Sequence, residues 1–156
     1  METSKSVKVR QAVLLDLDVL ISMGRLMHQE SPRFKDTDFS EASCKQLGEE
    51  LITAGGVFIA EKGEEAVGMF AGALCHHYFG STLMANDYLL YVKPQYRAKS
   101  RAAYMLLKEF EKWAIASGAK FIQLGISTQV EADRTRDFYE RMGYPVKGYL
   151  CIKEIV

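Results

Sequence analysis

The chain has 156 residues, of which 48% are hydrophobic and 26% charged, as is typical of one soluble globular domain with a single core. Lys plus Arg and Asp plus Glu both number 20, so a global basic field that would attract nucleic acid or an anionic membrane is excluded.

The three cysteines, Cys44, Cys75 and Cys151, lie far apart in apolar surroundings, which favours reduced buried thiols over a disulfide framework or a metal site. The N-terminus has no apolar core of signal-peptide length, and no apolar run approaches the roughly 20 residues of a spanning helix. We therefore expect a cytoplasmic protein.

The first third of the chain is predicted to contain one strand and two helices. Residues 6–13 are predicted to form the strand, and Asp16 or Asp18 can cap a helix whose apolar residues recur at helical spacing. Ser40 can cap the second helix, which ends at the Gly55-Gly56 pair.

The middle of the chain is predicted to form two hairpins. Strands over 57–61 and 66–75 flank a turn-like Lys-Gly-Glu-Glu sequence. The turn at Gly80-Ser81 then leads into a third strand that ends at Val92.

A short basic loop separates this strand from a long amphipathic helix that begins near residue 100. The loop carries Arg97, Lys99 and Arg101, and residues 88–108 contain no acidic side chain. Because the free N–H groups of a first helical turn point into the preceding loop, this segment predicts an anion site suited to phosphate.

The last part of the chain is predicted to contain a strand over 121–126, a helix over 131–141 and a final strand over 149–156. The element order β-α-α-β-β-β-α-β-α-β predicts a mixed α/β sheet in a single domain, 1–156. The final strand, YLCIKEIV, is an apolar edge candidate, which makes a homodimer a plausible prediction. It could equally be an interior strand.

Two motifs in this order resemble those of the GCN5-related N-acetyltransferases (GNAT). Val92 to Ala102 reads V-x-P-x-Y-R-A-K-S-R-A, and Phe138 to Tyr144 reads F-Y-E-R-M-G-Y. The pyrophosphate loop of this family usually reads Arg or Gln, two residues, Gly, one residue, Gly or Ala. This chain has Ala98 and Ser100 where glycines are common, and Ala102 at the last position. The resemblance covers nearly the whole chain and implies a mostly antiparallel twisted sheet with about four helices, splayed between its central strands.

The resemblance also implies that acetyl-CoA (coenzyme A) is the acyl donor. In the family, the loop binds the pyrophosphate, and the backbone of the preceding strand pairs with the pantetheine amides. The residues to which the resemblance assigns cofactor binding are Leu90, Tyr91, Val92, Arg97, Ala98, Lys99, Ser100, Arg101 and Ala102.

Tyr139 and Asp87 are the candidate catalytic residues. Tyr139 matches the position at which the family places the tyrosine that protonates the coenzyme A sulfur, and a phenol with a pKa near 10 is protonated at neutral pH. Its alternative role is that of a core aromatic beside Phe138. Asp87, on the strand that leads to the cofactor, is the best candidate for the general base; a solvated aspartate at a strand end is the alternative.

The acceptor is expected to contact His28, Glu30, Phe34 and Tyr78, which lie on the segments that face the acceptor in the family. His28 and Glu30 could each also be an ordinary surface residue, and Phe34 could instead fasten its loop to the core. The adjacent pair His76-His77 cannot easily share one ion, because neighbouring strand residues point to opposite faces. No metal site is expected.

The function predicted from these observations is transfer of an acetyl group from acetyl-CoA to a primary amine of a small molecule or a protein. The alternative is a catalytically silent acyl-CoA-binding or interaction module on the same fold. Nucleic-acid binding is disfavoured, because the basic loop has neither an extended basic face nor interleaved exposed aromatics around it.

Overall fold

The computed structural model describes residues 5–98 and 100–155. Strands β1 to β5 span Val7–Gln11, Val57–Lys62, Glu65–His76, Leu83–Val92 and Phe121–Gln123. Helices α1 to α5 span Leu17–Glu30, Glu41–Ala54, Pro94–Arg97, Ala102–Ala116 and Ala132–Arg141. A single 3-10 turn, Leu14–Asp16, precedes α1.

The five strands form one sheet in the order β1-β2-β3-β4-β5. Each of the first four is antiparallel to its neighbour, and β5 runs parallel to β4. This arrangement confirms the predicted fold class, a mixed and mostly antiparallel α/β sheet, and the structure has α3, a single helical turn, in addition to the four predicted helices.

Helices cover both faces of the sheet, because successive residues of β2 and β3 point to opposite sides. On one face, Phe58 and Phe70 belong to a core cluster with Leu106 and Phe110 of α4. On the other face, Ile59 belongs to a cluster with residues of α1 and α2. The central strands are therefore buried on both sides.

The ends of the first two helices follow the local sequence signals in part. Ser40 caps α2 by accepting a hydrogen bond from the N–H of Ser43, and Gly55 ends that helix in the left-handed conformation, as predicted. Asp16 stands at the N-cap of α1, but its carboxylate accepts from the N–H of Val13 and from both terminal nitrogens of Arg10. The hydrogen bonds from Arg10 lower the pKa of Asp16, so this carboxylate fastens β1 to the turn before α1.

Three predictions about local structure are wrong. Residues 149–155 form no strand, and their side chains are exposed. Cys75 and Cys151 are exposed and Cys44 is half-buried, so the free thiols are not buried as expected. Cys75 lies in the last residues of β3, which emerge from the core, and Cys151 lies in the exposed C-terminal segment. The fifth strand also ends at Gln123, three residues earlier than predicted.

Within the described residues, the helices are all too short or too polar to cross a bilayer. The cytoplasmic location stays a prediction from the sequence.

Candidate active site

The two parallel strands of the sheet separate partway along their length. Pairing between β4 and β5 runs from Met84↔Phe121 to Asn86↔Gln123 and goes no further. The remainder of β4, from Asp87 to Val92, and the residues from Gly125 onward form opposite walls of a cavity of about 620 Å³. This divergence is the splay that the resemblance implies, and in the described sheet it lies between β4 and the outermost strand, β5.

An irregularity in β4 accounts for the divergence. The register between β3 and β4 shifts from Ala71↔Leu89 to Gly72↔Asp87, which leaves Tyr88 as an extra residue in β4. A bulge of this kind bends its strand and increases the local twist. Because Tyr88 lies two residues beyond the last β4–β5 pair, the bend turns β4 away from β5 where the cavity opens.

Where the main-chain pairing between β4 and β5 ends, the side chain of Asp87 continues the contact between the two segments. Its carboxylate oxygens accept from the N–H of Gly125 at 3.0 and 3.2 Å. Partial burial raises the pKa of Asp87 to about 6, although the Gly125 hydrogen bond acts in the opposite direction. The group is therefore mostly ionised at pH 7 and still able to take up a proton.

Tyr139 lies in α5, is buried in the protein and lines the same cavity. Burial, with a smaller contribution from the negative charge of Asp87, raises the pKa of Tyr139 well above its usual value. The phenol is therefore protonated at neutral pH. A mostly ionised carboxylate and a protonated phenol thus face one cavity.

The residues after Tyr139 fix the position of α5. Gly143 ends the helix in the left-handed conformation, and Tyr144 donates its N–H to the carbonyl of Tyr139. The Tyr144 hydroxyl donates to Glu111 of α4 at 2.7 Å. The F-Y-E-R-M-G-Y motif therefore ties the helix that carries Tyr139 to the helix beneath the sheet.

The N-terminus of α4 forms one end of the cavity. Ser100 accepts a hydrogen bond from the N–H of Ala102 at 3.3 Å and donates its own hydroxyl to the Tyr96 carbonyl. The first main-chain helical bond comes from Met105, so the N–H of Tyr104 has no main-chain acceptor among the described residues. Ser100 therefore acts as a capping side chain at the start of α4.

Arg97 and Glu30 are joined in a bidentate ion pair, with distances of 2.5 and 2.7 Å. Arg97 also donates from Nε to the carbonyl of Val92 at 2.7 Å, and its guanidinium lies over the ring of Tyr91. The hydrogen bonds with Glu30 raise the pKa of Arg97. Arg97, predicted to bind the cofactor, and Glu30, predicted to contact the acceptor, therefore neutralise each other's charge.

The connection between α1 and α2 is hydrogen-bonded to the cavity wall opposite β4. Ser31 is fully buried and donates to the carbonyl of Thr128, and Arg33 donates to the carbonyl of Ser127 at 3.0 Å. Gln129 and Glu131 adopt positive φ angles of 59° and 45°, conformations that surrounding structure has to enforce in residues other than glycine. The hydrogen bonds from Ser31 and Arg33 supply part of that constraint.

The structure brings most of the predicted site residues into one cavity. Those that line it are Glu30, Phe34, Asp87, Leu90, Tyr91, Val92, Arg97, Ser100, Arg101 and Tyr139.

Four predicted site residues do not line the cavity. Ala98 lies within the loop, and Ala102 is the fully buried first residue of α4. His28 contacts Thr37 and Phe39 instead, and Tyr78 is exposed at the tip of the β3–β4 hairpin. Lys99 lies outside the described residues.

Sequence reasoning missed the wall formed by residues 125–131. This segment follows a three-residue strand and carries no motif. It becomes part of the site only because β4 and β5 diverge beside it. Among the described residues, no group of three His, Cys, Asp or Glu side chains is placed to hold a metal ion.

Comparisons with known proteins agree with this architecture. Aminoglycoside N-acetyltransferase AAC(6')-Iy, solved in complex with CoA, is 16% identical, with a TM-score of 0.78 over 99% of this chain and 98% of that one. An aminoglycoside acetyltransferase from an uncultured soil metagenomic sample, in complex with trehalose, is 20% identical, with a TM-score of 0.70 over 96% and 95% of the two chains. A transcriptional regulator from Bacillus halodurans C-125 is also 20% identical, with a TM-score of 0.75 over 96% and 99%. At these identities the likeness establishes the fold.

A search of curated protein sequences found no match. The family is shown by a different comparison: the model of the Acetyltransferase (GNAT) family matches residues 22–144, most of the chain. The predicted family and cofactor are thereby confirmed. The chain belongs to the GNAT acetyltransferases and is an acetyl-CoA-dependent N-acetyltransferase.

Proposed function

We propose that this chain transfers the acetyl group of acetyl-CoA to a primary amine of a small molecule or a protein, in the cavity between β4 and β5. One observation carries the proposal: Asp87, mostly ionised at pH 7, and Tyr139, protonated, line the cavity together. Acyl transfer to an amine needs a side chain that accepts a proton from the amine and another that donates a proton to the departing thiolate.

The described residues fit the cofactor. Beyond Asn86, the edge of β4 that faces β5 has no strand partner within the described residues, so its amide groups are free to pair with an extended chain that itself carries amides. At the end of that edge lies the N-terminus of α4, with Ser100 and Arg101 in the cavity wall, which suits a phosphate group. Acetyl-CoA supplies the activated thioester.

The two catalytic residues have complementary roles in this proposal. The Asp87 carboxylate accepts a proton from the acceptor ammonium, directly or through a water molecule, so that the neutral amine nitrogen can attack the thioester carbon. As the new C–N bond forms and the C–S bond breaks, Tyr139 Oη donates a proton to the departing sulfur. Its high pKa keeps that proton available until the thiolate develops. The second proton that the nitrogen loses on becoming an amide returns to the Tyr139 phenolate through solvent.

We propose that the acceptor approaches from the side of α1. Phe34 offers an apolar surface there, and Glu30 offers a carboxylate that Arg97 holds in place. A cationic amine can share this carboxylate at the edge of the ion pair. Aminoglycosides belong among the amines to test, because two of the similar structures are aminoglycoside acetyltransferases.

Thiol release from acetyl-CoA across a panel of aminoglycosides, polyamines and lysine peptides tests the proposal. For an amine that is acetylated, we expect Tyr139→Phe to lower kcat by about 10²-fold, because it removes a general acid, and to leave the KM for acetyl-CoA nearly unchanged. Tyr96→Phe is the matched control, since the Tyr96 hydroxyl donates to Glu65 and does not line the cavity. If coenzyme A binds, no amine is acetylated and Tyr139→Phe changes nothing, the silent binding module is the correct function.

We also propose that the working form is a homodimer, as the apolar C-terminal sequence predicts. The exposure of that segment in the described chain supports this proposal.

A further inference from the structure

The residue that follows α1 is a serine with no exposure to solvent. Ser31 is 0% exposed, and Pro32 comes directly after it. Because a residue before proline is disfavoured in the helical conformation, α1 ends here, and Ser31 has φ −74° and ψ 120°. Its hydroxyl donates to the carbonyl of Thr128 and accepts from the N–H of Phe34 at 3.3 Å. A buried hydroxyl is tolerated when it is hydrogen-bonded in this way, so Ser31 is a specific link between two segments.

The 125–131 wall has few other attachments. Within the described residues, three side chains supply the hydrogen bonds that join this wall to other elements: Asp87, Arg33 and Ser31. Asp87 binds only the first residue of the wall. Gln129 and Glu131 have positive φ angles, which are strained in residues other than glycine. The wall should therefore shift when one of its few constraints is removed.

The other end of this link is attached to β4. Glu30, next to Ser31 in the chain, forms the bidentate ion pair with Arg97. Arg97 in turn donates from Nε to the carbonyl of Val92, the last residue of β4. A continuous series of hydrogen bonds thus runs from β4 through two consecutive residues at the end of α1 to the opposite wall. The end of α1 therefore spans the cavity and fixes its width.

The same wall continues into the helix that carries Tyr139. The carbonyl of Glu131 accepts from the N–H of Thr135 at 3.0 Å, in the first turn of α5. Tyr139 follows one turn later and lines the cavity. The C-terminal end of α5 is attached separately, through the Tyr144 hydroxyl and Glu111. The wall therefore positions the N-terminal end of α5 relative to β4.

We propose that Ser31 is a positioning residue for acetyl transfer, which acts through Thr128 to hold Tyr139 at the correct distance from a thioester bound along β4. This inference rests on the proposed role of Tyr139 as the proton donor. Ser31 itself touches neither reactant, because it is fully buried and does not line the cavity. A misplacement of about 1 Å in a reacting group is enough to lower a rate by up to about 10²-fold.

A purely stabilising role for Ser31 would give a different result. Loss of the hydroxyl would then lower the folded fraction, and the rate would fall by the same factor whatever residue stands at position 139. In the positioning role, loss of the hydroxyl removes only what Tyr139 contributes. The effects of changing Ser31 and Tyr139 should therefore be non-additive.

Steady-state kinetics of Ser31→Ala, in the natural chain and in Tyr139→Phe, test the proposal with one acetylated amine. We expect kcat to fall about tenfold in the natural chain and less than about twofold in Tyr139→Phe, with the KM for acetyl-CoA nearly unchanged in both. Ser22→Ala is the matched control, because Ser22 is an exposed serine of α1 whose hydroxyl donates to the carbonyl of Asp18 at 3.0 Å; this variant should keep its kcat. An unchanged kcat in Ser31→Ala, or equal losses in the two backgrounds, overturns the proposal.

Arg33→Met tests the same wall without emptying a fully buried position. Arg33 is half-buried and donates to the carbonyl of Ser127 at 3.0 Å. We expect kcat to fall about threefold, as for the loss of one hydrogen bond, and again only where Tyr139 is present. This variant decides the question if Ser31→Ala does not fold. A loss that persists in Tyr139→Phe contradicts the positioning role.

Hydrogen exchange followed by mass spectrometry reports on the wall directly and needs no catalytic activity. In Ser31→Ala we expect faster exchange in residues 125–139 and unchanged exchange in β2, because the constraint that is lost is local. Ser22→Ala should leave both regions unchanged. Unchanged exchange at 125–139 refutes the positioning role of Ser31 whatever the kinetics show, whereas an undiminished kcat in Tyr139→Phe refutes the proposed function instead.

Discussion

At the scale of single residues, Asp87 combines a structural contact with the proposed chemistry. Its carboxylate holds the N–H of Gly125 at the point where β5 leaves β4. The partial burial that this position imposes raises its pKa to about 6. A carboxylate with a pKa near the working pH can accept a proton and later release it, which an exposed aspartate does poorly.

The activity of the enzyme should therefore depend on the ionisation of Asp87. We expect kcat/KM to fall about tenfold for each pH unit below pH 6, because the protonated carboxyl cannot accept a proton from the amine. Asp87→Asn should lower kcat/KM at pH 7.5 by about 10²-fold and remove this acidic limb. The measurement is the pH–rate profile of both proteins with one acetylated amine. An unchanged acidic limb in Asp87→Asn assigns it to another group.

The same pKa shift predicts a stability effect. The folded-state pKa of Asp87 lies above its unfolded value, so the folded state binds more protons between about pH 4 and 6, and stability falls as pH rises through that window. Above pH 6 the carboxylate is charged in the folded state, and the full destabilisation from burying that charge is present. Asp87→Asn should remove about 1–2 kcal/mol of this destabilisation, which corresponds to a rise in Tm of a few degrees.

Thermal unfolding at pH 7.5 and at pH 4 checks this sign. The gain from Asp87→Asn should appear at pH 7.5 and vanish at pH 4, where the natural carboxyl is mostly protonated in the folded state. Asp18→Asn is the control, because Asp18 is exposed. An equal gain at both pH values would attribute the effect to packing rather than to ionisation.

At the scale of elements, the fit between β3 and α4 determines how closely the helix approaches the sheet. Gly72 lies opposite Asp87 at the bulge, and the ring of Phe110 lies directly over it. Phe110 also stacks on Phe70, with ring centroids 4.2 Å apart. The absence of a side chain at Gly72 gives the aromatic ring its place in the core.

Replacing this glycine should therefore disrupt the packing of α4 on the sheet. An alanine Cβ at Gly72 would lie 2.4 Å from Phe110 Cε2 and 2.7 Å from the Asn86 carbonyl oxygen. We expect Gly72→Ala to lower the free energy of unfolding by about 3 kcal/mol, as overpacking a core does. Urea denaturation measures it.

Gly80→Ala provides the matched control for Gly72→Ala. A Cβ at Gly80 meets no atom within 4 Å, so this change should alter the free energy of unfolding by less than about 0.5 kcal/mol. Equal effects of the two substitutions would refute the packing argument and point to a general loss of glycine flexibility.

At the scale of the whole molecule, the cavity exists because two parallel strands pair for only three residues. Helices cover both faces of the sheet, so the gap opens at the divergence of β4 and β5, between the α4 N-terminus and the α1–α2 connection.

The sequence alone predicted the features that depend on residues close together in the chain. Ser40 and Gly55 marked the ends of α2, and the turn-like Lys-Gly-Glu-Glu sequence between two apolar runs located β2 and β3, because capping and turns depend on local geometry. The two motifs predicted the family and the α4 loop. The error at residues 149–155 has a physical cause: an apolar sequence rich in Ile, Leu and Tyr can form a strand, but a strand also requires a neighbour to pair with.

Only the tertiary structure decided which distant residues meet. Glu30 reaches Arg97, Ser31 reaches Thr128 and Asp87 reaches Gly125, and no local pattern records these contacts. They follow from the bulge in β4 and from the packing of helices on both faces of the sheet. The pKa of Asp87 and the wall at 125–131 depend on the same geometry. The sequence by itself thus determined most of the elements and the family, whereas the chemistry of the cavity depends on side chains that are brought together only when the sheet splays.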